Sequence, residues 1–219
     1  MKTGLEAIVT QAQDASGGDL RMSVVDFKDS VRVDQGLTTN IMSVETAIMG
    51  LSATGGSGTP EASDQAVKVV SGGMSACSTG DPGTFRSNCL KVAILVTDAL
   101  PGECDDRYIS GVTDVEAAAI ADAAGAAGIR ISAVLVGLPD PDEEKVMRKY
   151  ADATGGAYVN IPQDGSGLSE AIQAIIEACG RGTQTAPVPA MSPIALCGVG
   201  VLLAGAGVYR AQRRARKQR

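Results

Sequence analysis

Two side chains carry the chemistry that this sequence offers. Thr59 ends the glycine-rich part of GGSGTPEASDQAVKVV (residues 55–70), and Asp98 closes the apolar run LKVAILVTDA (90–99). One is a hydroxyl and the other a carboxylate. Oxygen donors with no imidazole or thiolate beside them suit a hard divalent cation such as Mg²⁺ or Mn²⁺. The chain has no His, so the commonest general base and the commonest transition-metal ligand are both missing. Asp98 and Glu103 would be the remaining acid/base pair for a carboxylate-based hydrolase. Both lie in the one loop VTDALPGECDD, with nothing nucleophilic near them in sequence. A non-enzymatic role is expected.

Thr59 has a plainer reading as well. Thr followed by Pro and Glu is a helix start, with Thr59 as N-cap, Pro60 in the first turn and Glu61 favoured by the helix dipole. A phosphate-binding loop would need Gly-Lys-Ser/Thr before its helix, and no Lys stands beside Thr59.

The surrounding elements place both residues. Leu5, Ile8, Val9 and Ala12 follow helical spacing over residues 1–13. LRMSVVDF (20–27) reads as a strand, and SVRVDQGLT (30–38) alternates as its hairpin partner would. Asn40 can cap a short helix through Gly50, and a helix runs from the Thr59 junction to about Val70. LKVAILVTDA and IRISAVLVG (129–137) are almost unbroken apolar runs, the pattern of strands buried on both faces. Between them, TDVEAAAIADAAGAAG opens with Thr113 and Glu116 as a capping box. Asp140, Pro141 and Glu143 start the next helix, AYVNI (157–161) is a short strand, and Ser166 can cap the last helix. This alternation predicts an α/β fold: a doubly wound, mostly parallel sheet with helices on both faces. Sites in such sheets lie at the carboxyl ends of the strands. The Thr59 and Asp98 loops both fall there.

Composition narrows the partners. Hydrophobic residues make up 44% of the 219-residue chain and aromatics only 3%, so the core must be built of Val, Ile, Leu and Ala. The net charge of −6 is unevenly spread: RAQRRARKQR (210–219) holds six of the 19 basic residues, which leaves the rest at −12. An acidic body of this kind does not suit nucleic acid. The basic tail follows IALCGVGVLLAGAGVY (194–209), sixteen residues without charge. As a helix it would span roughly 24 Å, slightly short of the ~30 Å hydrocarbon core. An apolar run followed by arginines predicts a membrane helix with its basic end in the cytoplasm and the body outside it. Residues 181–193 read as a Pro/Gly linker.

The ordered motifs resemble those of von Willebrand factor type A domains. RMSVVDFKDSVRVDQGLT resembles that family's second and antiparallel third strands. GGSGTPEASDQAV resembles its second metal loop, and LKVAILVTDALPGE its fourth strand and third metal loop. GIRISAVLVG and YADATGGAYVNI resemble its last strands. The resemblance covers residues 1–180. It implies a metal-ion-dependent adhesion site on the upper rim of the sheet, with Thr59 and Asp98 as its threonine and aspartate. It further implies a protein ligand whose carboxylate completes the coordination of Mg²⁺ or Mn²⁺. The family's first metal loop, Asp-x-Ser-x-Ser, has no match here, and neither does its central first strand; Ala99 replaces the glycine that usually follows the aspartate. The chain reads as an N-terminally truncated form. Its two flanking strands are then expected to collapse together, to take a strand from another chain, or, the favoured outcome, to leave the fold unstable.

VPAMSPIALCGVGVLLAGAGVYRAQRRARK resembles the sorting signals of the PEP-CTERM class, in particular the variant with an Ile-Pro-Thr-Leu motif. This implies an exosortase-type membrane enzyme as a partner and a location at the periplasm or cell surface.

A body outside the cytoplasm can oxidise cysteines. Cys77 follows a helix and Cys89 precedes a strand, which places both on the lower rim and makes them the expected disulfide. Cys179 is the competitor, and Cys104, on the upper rim, is expected to be unpaired. The sequence therefore predicts a surface-sorted module for cation-dependent protein adhesion. The alternative is a metal-free scaffold.

Overall fold

A computed structural model gives the architecture. It describes residues 2–17, 19–52, 60–87, 89–102, 104–105, 107–181 and 196–204. The elements are α1 (Lys2–Ser16), β1 (Met22–Phe27), β2 (Val31–Thr38), α2 (Ile41–Gly50), α3 (Ser63–Val70), β3 (Ser78–Thr79), β4 (Leu90–Thr97), α4 (Thr113–Ala126), β5 (Ile129–Val136), α5 (Pro141–Thr154), β6 (Tyr158–Ile161), α6 (Leu168–Arg181) and β7 (Leu196–Ala204).

The strands form one sheet in the order β3-β2-β1-β7-β4-β5-β6. Only β2 runs antiparallel to its neighbour β1. Both faces are covered, as the apolar strands require. On β4, Val92, Ile94 and Val96 join a core with α1, α2 and α6, while Ala93 and Leu95 join a second core with α3, α4 and α5. A strand whose alternate residues enter two cores has no position left for a polar side chain.

Several helix starts differ in detail from the sequence reading. Asn40 caps α2 as expected, its side chain accepting the Ser43 N–H, and Asp140 with Glu143 forms the capping box of α5. The residue at the N-cap of α3 is Ala62, and Thr59, the expected cap, lies outside the described residues. That helix begins at Ser63, because Glu61 is drawn into a bridge with Pro101. Thr113 is likewise inside α4, and its hydroxyl accepts the Ile109 N–H instead of capping its own helix. In α6 the first helical bond runs from Ala171 N–H to the Gly167 carbonyl, so Gly167 takes the position expected of Ser166.

The largest difference lies at the centre of the sheet. Residues 196–204, inside the run read as a membrane helix over 194–209, form the strand β7. No described helix is long and apolar enough to cross a membrane. β7 fills the slot between β1 and β4 that was expected to be vacant. Its pairs run from Met22–Val199 to Phe27–Ala204 on one side and from Leu90–Leu196 to Val96–Leu203 on the other. The gap is closed neither by collapse nor by another chain. Two facing edges with unsatisfied amides and carbonyls would cost about 1–3 kcal/mol for each buried group. The basic tail 210–219 and linker residues 182–193 lie outside the described residues.

The disulfide also differs. Cys77 pairs with Cys104, with Cα atoms 5.6 Å apart. The expected partner, Cys89, is a half-buried thiol that donates to the Arg86 carbonyl at 2.9 Å. The reason is the shortness of α3. It ends at Val70, the chain reverses through Gly72 at φ +85°, and it climbs back until the Cys77 carbonyl accepts the Val31 N–H at 3.0 Å. Val31 faces Phe27 at the carboxyl end of β1. Cys77 is therefore on the upper rim with Cys104.

Candidate functional site

The carboxyl ends of the parallel strands form the upper rim. Asp98 follows buried Thr97 at the end of β4 and is half-buried. The Ala99 N–H donates to the Thr97 hydroxyl at 3.2 Å, which turns the chain out of the sheet just past Asp98.

The structure brings Glu61, just after the glycine-rich segment, against the loop beyond Asp98. The Glu61 N–H donates to the Leu100 carbonyl at 2.9 Å, and the Gly102 N–H returns a bond to the Glu61 carbonyl at 2.6 Å. A Cβ added at Gly102 would lie 2.8 Å from Pro60 Cβ, so only glycine permits this approach. The Ala62 N–H donates to the Lys28 carbonyl at 2.6 Å and ties the same segment to the end of β1. Thr59 lies outside the described residues, two positions from Glu61. Glu103 lies outside them as well.

Sequence reasoning missed the polar support under this junction. Ser63, Asp64 and Gln65, in the first turn of α3, are all buried. The Tyr150 hydroxyl of α5 donates to the Asp64 carboxylate, and the helix dipole favours that charge at this end. The only signal was an acid in the first turn. Nothing in sequence linked it to a tyrosine 86 positions away.

Asp26, the penultimate residue of β1, is a second missed carboxylate. Burial pushes its pKa up, and the Asp34 charge adds to this, against the opposing pull of Arg32 and Lys28. Arg32 pairs with Asp26 at 3.2 Å and with Asp34 at 2.6 Å. Around α4, burial pushes Asp114 up, but the bond from Lys145, the Tyr108 hydroxyl and the Gly111 N–H outweigh it and hold the carboxyl below its ordinary value. Burial and the same Asp114 contact raise Tyr108. These contacts fasten the start of α4 to α5.

The rim also carries apolar surface. Ile109, Val112, Val115 and Leu138 are 47%, 59%, 65% and 65% exposed, and all four lie where β4 and β5 hand over to α4 and α5.

The fit to a cation is poor on the described residues. No group of three His, Cys, Asp or Glu side chains able to hold a metal occurs among them. Asp98 with the Thr59 hydroxyl falls short of a six-coordinate oxygen shell.

No family model matches the chain, and no curated protein matches it in sequence. Solved structures do. BatB from Bacteroides thetaiotaomicron superposes with a TM-score of 0.56 at 15% identity, covering 82% of this chain and 86% of that one. An aerotolerance-related membrane protein from Bacteroides fragilis gives 0.55 at 14%, covering 82% and 88%. The SpRpn10 VWA domain gives 0.54 at 13%, covering 78% and 79%. The sheet order, the helix layers and these likenesses show that the chain has a von Willebrand factor type A-like fold.

Proposed function

We propose that the chain is a protein-interaction module that docks its partner on the upper rim. The observation that carries this reading is the exposure of Ile109, Val112, Val115 and Leu138, all in the segments that lead from β4 into α4 or from β5 into α5. The fold's rim loops are where a doubly wound sheet places its ligands. The role is binding and not catalysis.

Within this reading, Asp98 and Thr59 would hold Mg²⁺ or Mn²⁺ weakly, with a carboxylate of the partner protein completing the shell. A metal-free scaffold is the second reading, favoured by the lack of a three-ligand cluster among the described residues. The C-terminal segment belongs to the same proposal. Its apolar run and basic end would be read by an exosortase-type enzyme and would hold the body outside the cytoplasm, at a membrane or cell surface.

A photo-crosslinker placed at Val112 or Leu138 tests the rim. Defined protein adducts in the native cell are expected there, and none from the same probe at Lys91 on the lower rim. Adducts from Lys91 alone would place the partner elsewhere. Calorimetry with Mg²⁺ and Mn²⁺ separates the two readings. Weak binding abolished by Asp98→Ala supports the cation, and no heat in either form supports the scaffold.

A further inference from the structure

The two sulfurs of the Cys77–Cys104 disulfide have different surroundings. Cys104 is exposed, in the loop beyond Asp98. Cys77 is half-buried and packs against the core that α3, α4 and α5 build on the sheet. In thiol–disulfide exchange the incoming thiolate attacks one sulfur and expels the other. Access to Cys104 therefore makes Cys77 the leaving group.

A hydroxyl stands beside both sulfurs. Ser75 Oγ lies 3.5 Å from Cys77 Sγ and 3.8 Å from Cys104 Sγ. A disulfide sulfur carries no hydrogen, so the hydroxyl is the donor in both contacts. The same oxygen accepts the Cys77 N–H at 3.3 Å, which fixes it in front of Cys77 and leaves its one hydrogen to the sulfurs. The turn does not depend on that hydroxyl alone, because the Ser75 carbonyl accepts the Ser78 hydroxyl at 3.0 Å. A donor aimed at sulfur favours the thiolate, and a more acidic thiol leaves faster. The rim also has ties that do not pass through either cysteine: Glu61 to Leu100, Gly102 to Glu61 and Ala62 to Lys28.

We propose that the Cys77–Cys104 bond is a thiol-exchange site of fixed polarity, in which a thiolate attacks Cys104 Sγ and Cys77 leaves as a thiolate held by the Ser75 hydroxyl. A bond forms between the incoming sulfur and Cys104 as the bond between the cysteines breaks, and its electron pair goes to Cys77. A second external thiolate then attacks the first external sulfur and expels Cys104. The two external sulfurs end as a disulfide, and the cysteine pair has gained two electrons. The co-reactant is a thiol, carried by a small molecule or by a protein, and after the first step it is bound covalently on the upper rim. This does not depend on where a partner protein docks.

The test treats the oxidised full chain with limiting glutathione, then quenches with acid, alkylates and maps peptides. Glutathione is expected on Cys104, with Cys77 alkylated. Glutathione mainly on Cys77, or equally on both, overturns the polarity. Adducts that form only in denaturant show a closed structural bond and overturn the site. Thioredoxin with its resolving cysteine changed to Ser separates the two sources: trapping on Cys104 includes protein thiols, and no trapping confines the co-reactant to small thiols. Ser75→Ala should slow adduct formation by about threefold or more at the same sulfur, and Ser75→Thr should restore it. In a Cys104→Ser chain, Ser75→Ala should cut the thiolate fraction of Cys77 near neutral pH by about tenfold, read from alkylation rate against pH. A Ser75 that served only the turn would lower the unfolding midpoint without moving that titration. Equal exchange rates, or an unmoved titration, overturn the role given to Ser75.

Discussion

Cys77 and Cys104, 27 positions apart in sequence, are bonded across the upper rim and clamp the loop beyond Asp98 to the loop that feeds β3. Closing a loop of this length removes about 3–4 kcal/mol of unfolded-state entropy. Reduction, or Cys77→Ser with Cys104→Ser, should lower stability by about that amount. Denaturant unfolding with and without reductant measures it. Equal midpoints would show that the bond does not form in solution. Cys89→Ser should leave non-reducing peptide maps unchanged.

The buried contact between Tyr150 and Asp64 predicts a contrast between two tyrosines. Tyr150→Phe removes a hydrogen bond to a carboxylate and should cost about 1.5–3 kcal/mol. The Tyr158 hydroxyl is buried without a hydrogen-bond partner among the described residues. Tyr158→Phe should therefore be neutral or stabilising, since it removes only that desolvated oxygen, and Arg148 keeps its place over the ring. Equal losses in the two variants would contradict this.

Asp26 predicts a pH dependence. Its folded-state pKa is raised above the ordinary 3.8, first by burial and then by Asp34. The folded chain thus binds this proton more tightly than the unfolded chain does. The group's contribution becomes unfavourable as pH rises from 3.8 through the folded value, and stays so above it. Asp26→Asn should raise the melting temperature at neutral pH, with the gain fading as pH falls towards 3.8. Melting curves across that range decide it, and a variant less stable at neutral pH would show that the Arg32 pair outweighs the burial.

Gly156 predicts a steric limit. A Cβ there would lie 2.0 Å from the Ile131 carbonyl oxygen, which is backbone within β5. Gly156→Ala should cost at least the about 1–3 kcal/mol typical of overpacking, because a strand bonded on both sides cannot yield. Gly50→Ala meets nothing within 4 Å and serves as the control. Similar unfolding midpoints for both variants would refute the close approach of Gly156 to β5.

The α/β class and most element positions were legible because they follow from local rules. Apolar runs such as Val92–Val96 announce a strand covered on both faces, and Asp140-Pro141 with Glu143 announces a helix start. The position of Asp98 at the end of β4 was legible for the same reason, being the first charged residue after such a run. The local rules failed where a non-local contact outweighed them. Thr59-Pro60 has the chemistry of a helix start, yet the bonds from Glu61 to Leu100 and Gly102 hold Glu61 out of α3, which begins at Ser63. Cys77 was assigned to the wrong rim because sequence does not show how soon a chain turns back after an eight-residue helix. The Asp64–Tyr150 pair joins elements far apart in the chain and leaves no periodic trace. The apolar run at 194–209 fits either a bilayer or a buried strand, since both reward the same lack of charge. Only the tertiary structure decides it for residues 196–204. The open edges of β1 and β4 present two ladders of unsatisfied backbone groups, and the strand form satisfies both at once.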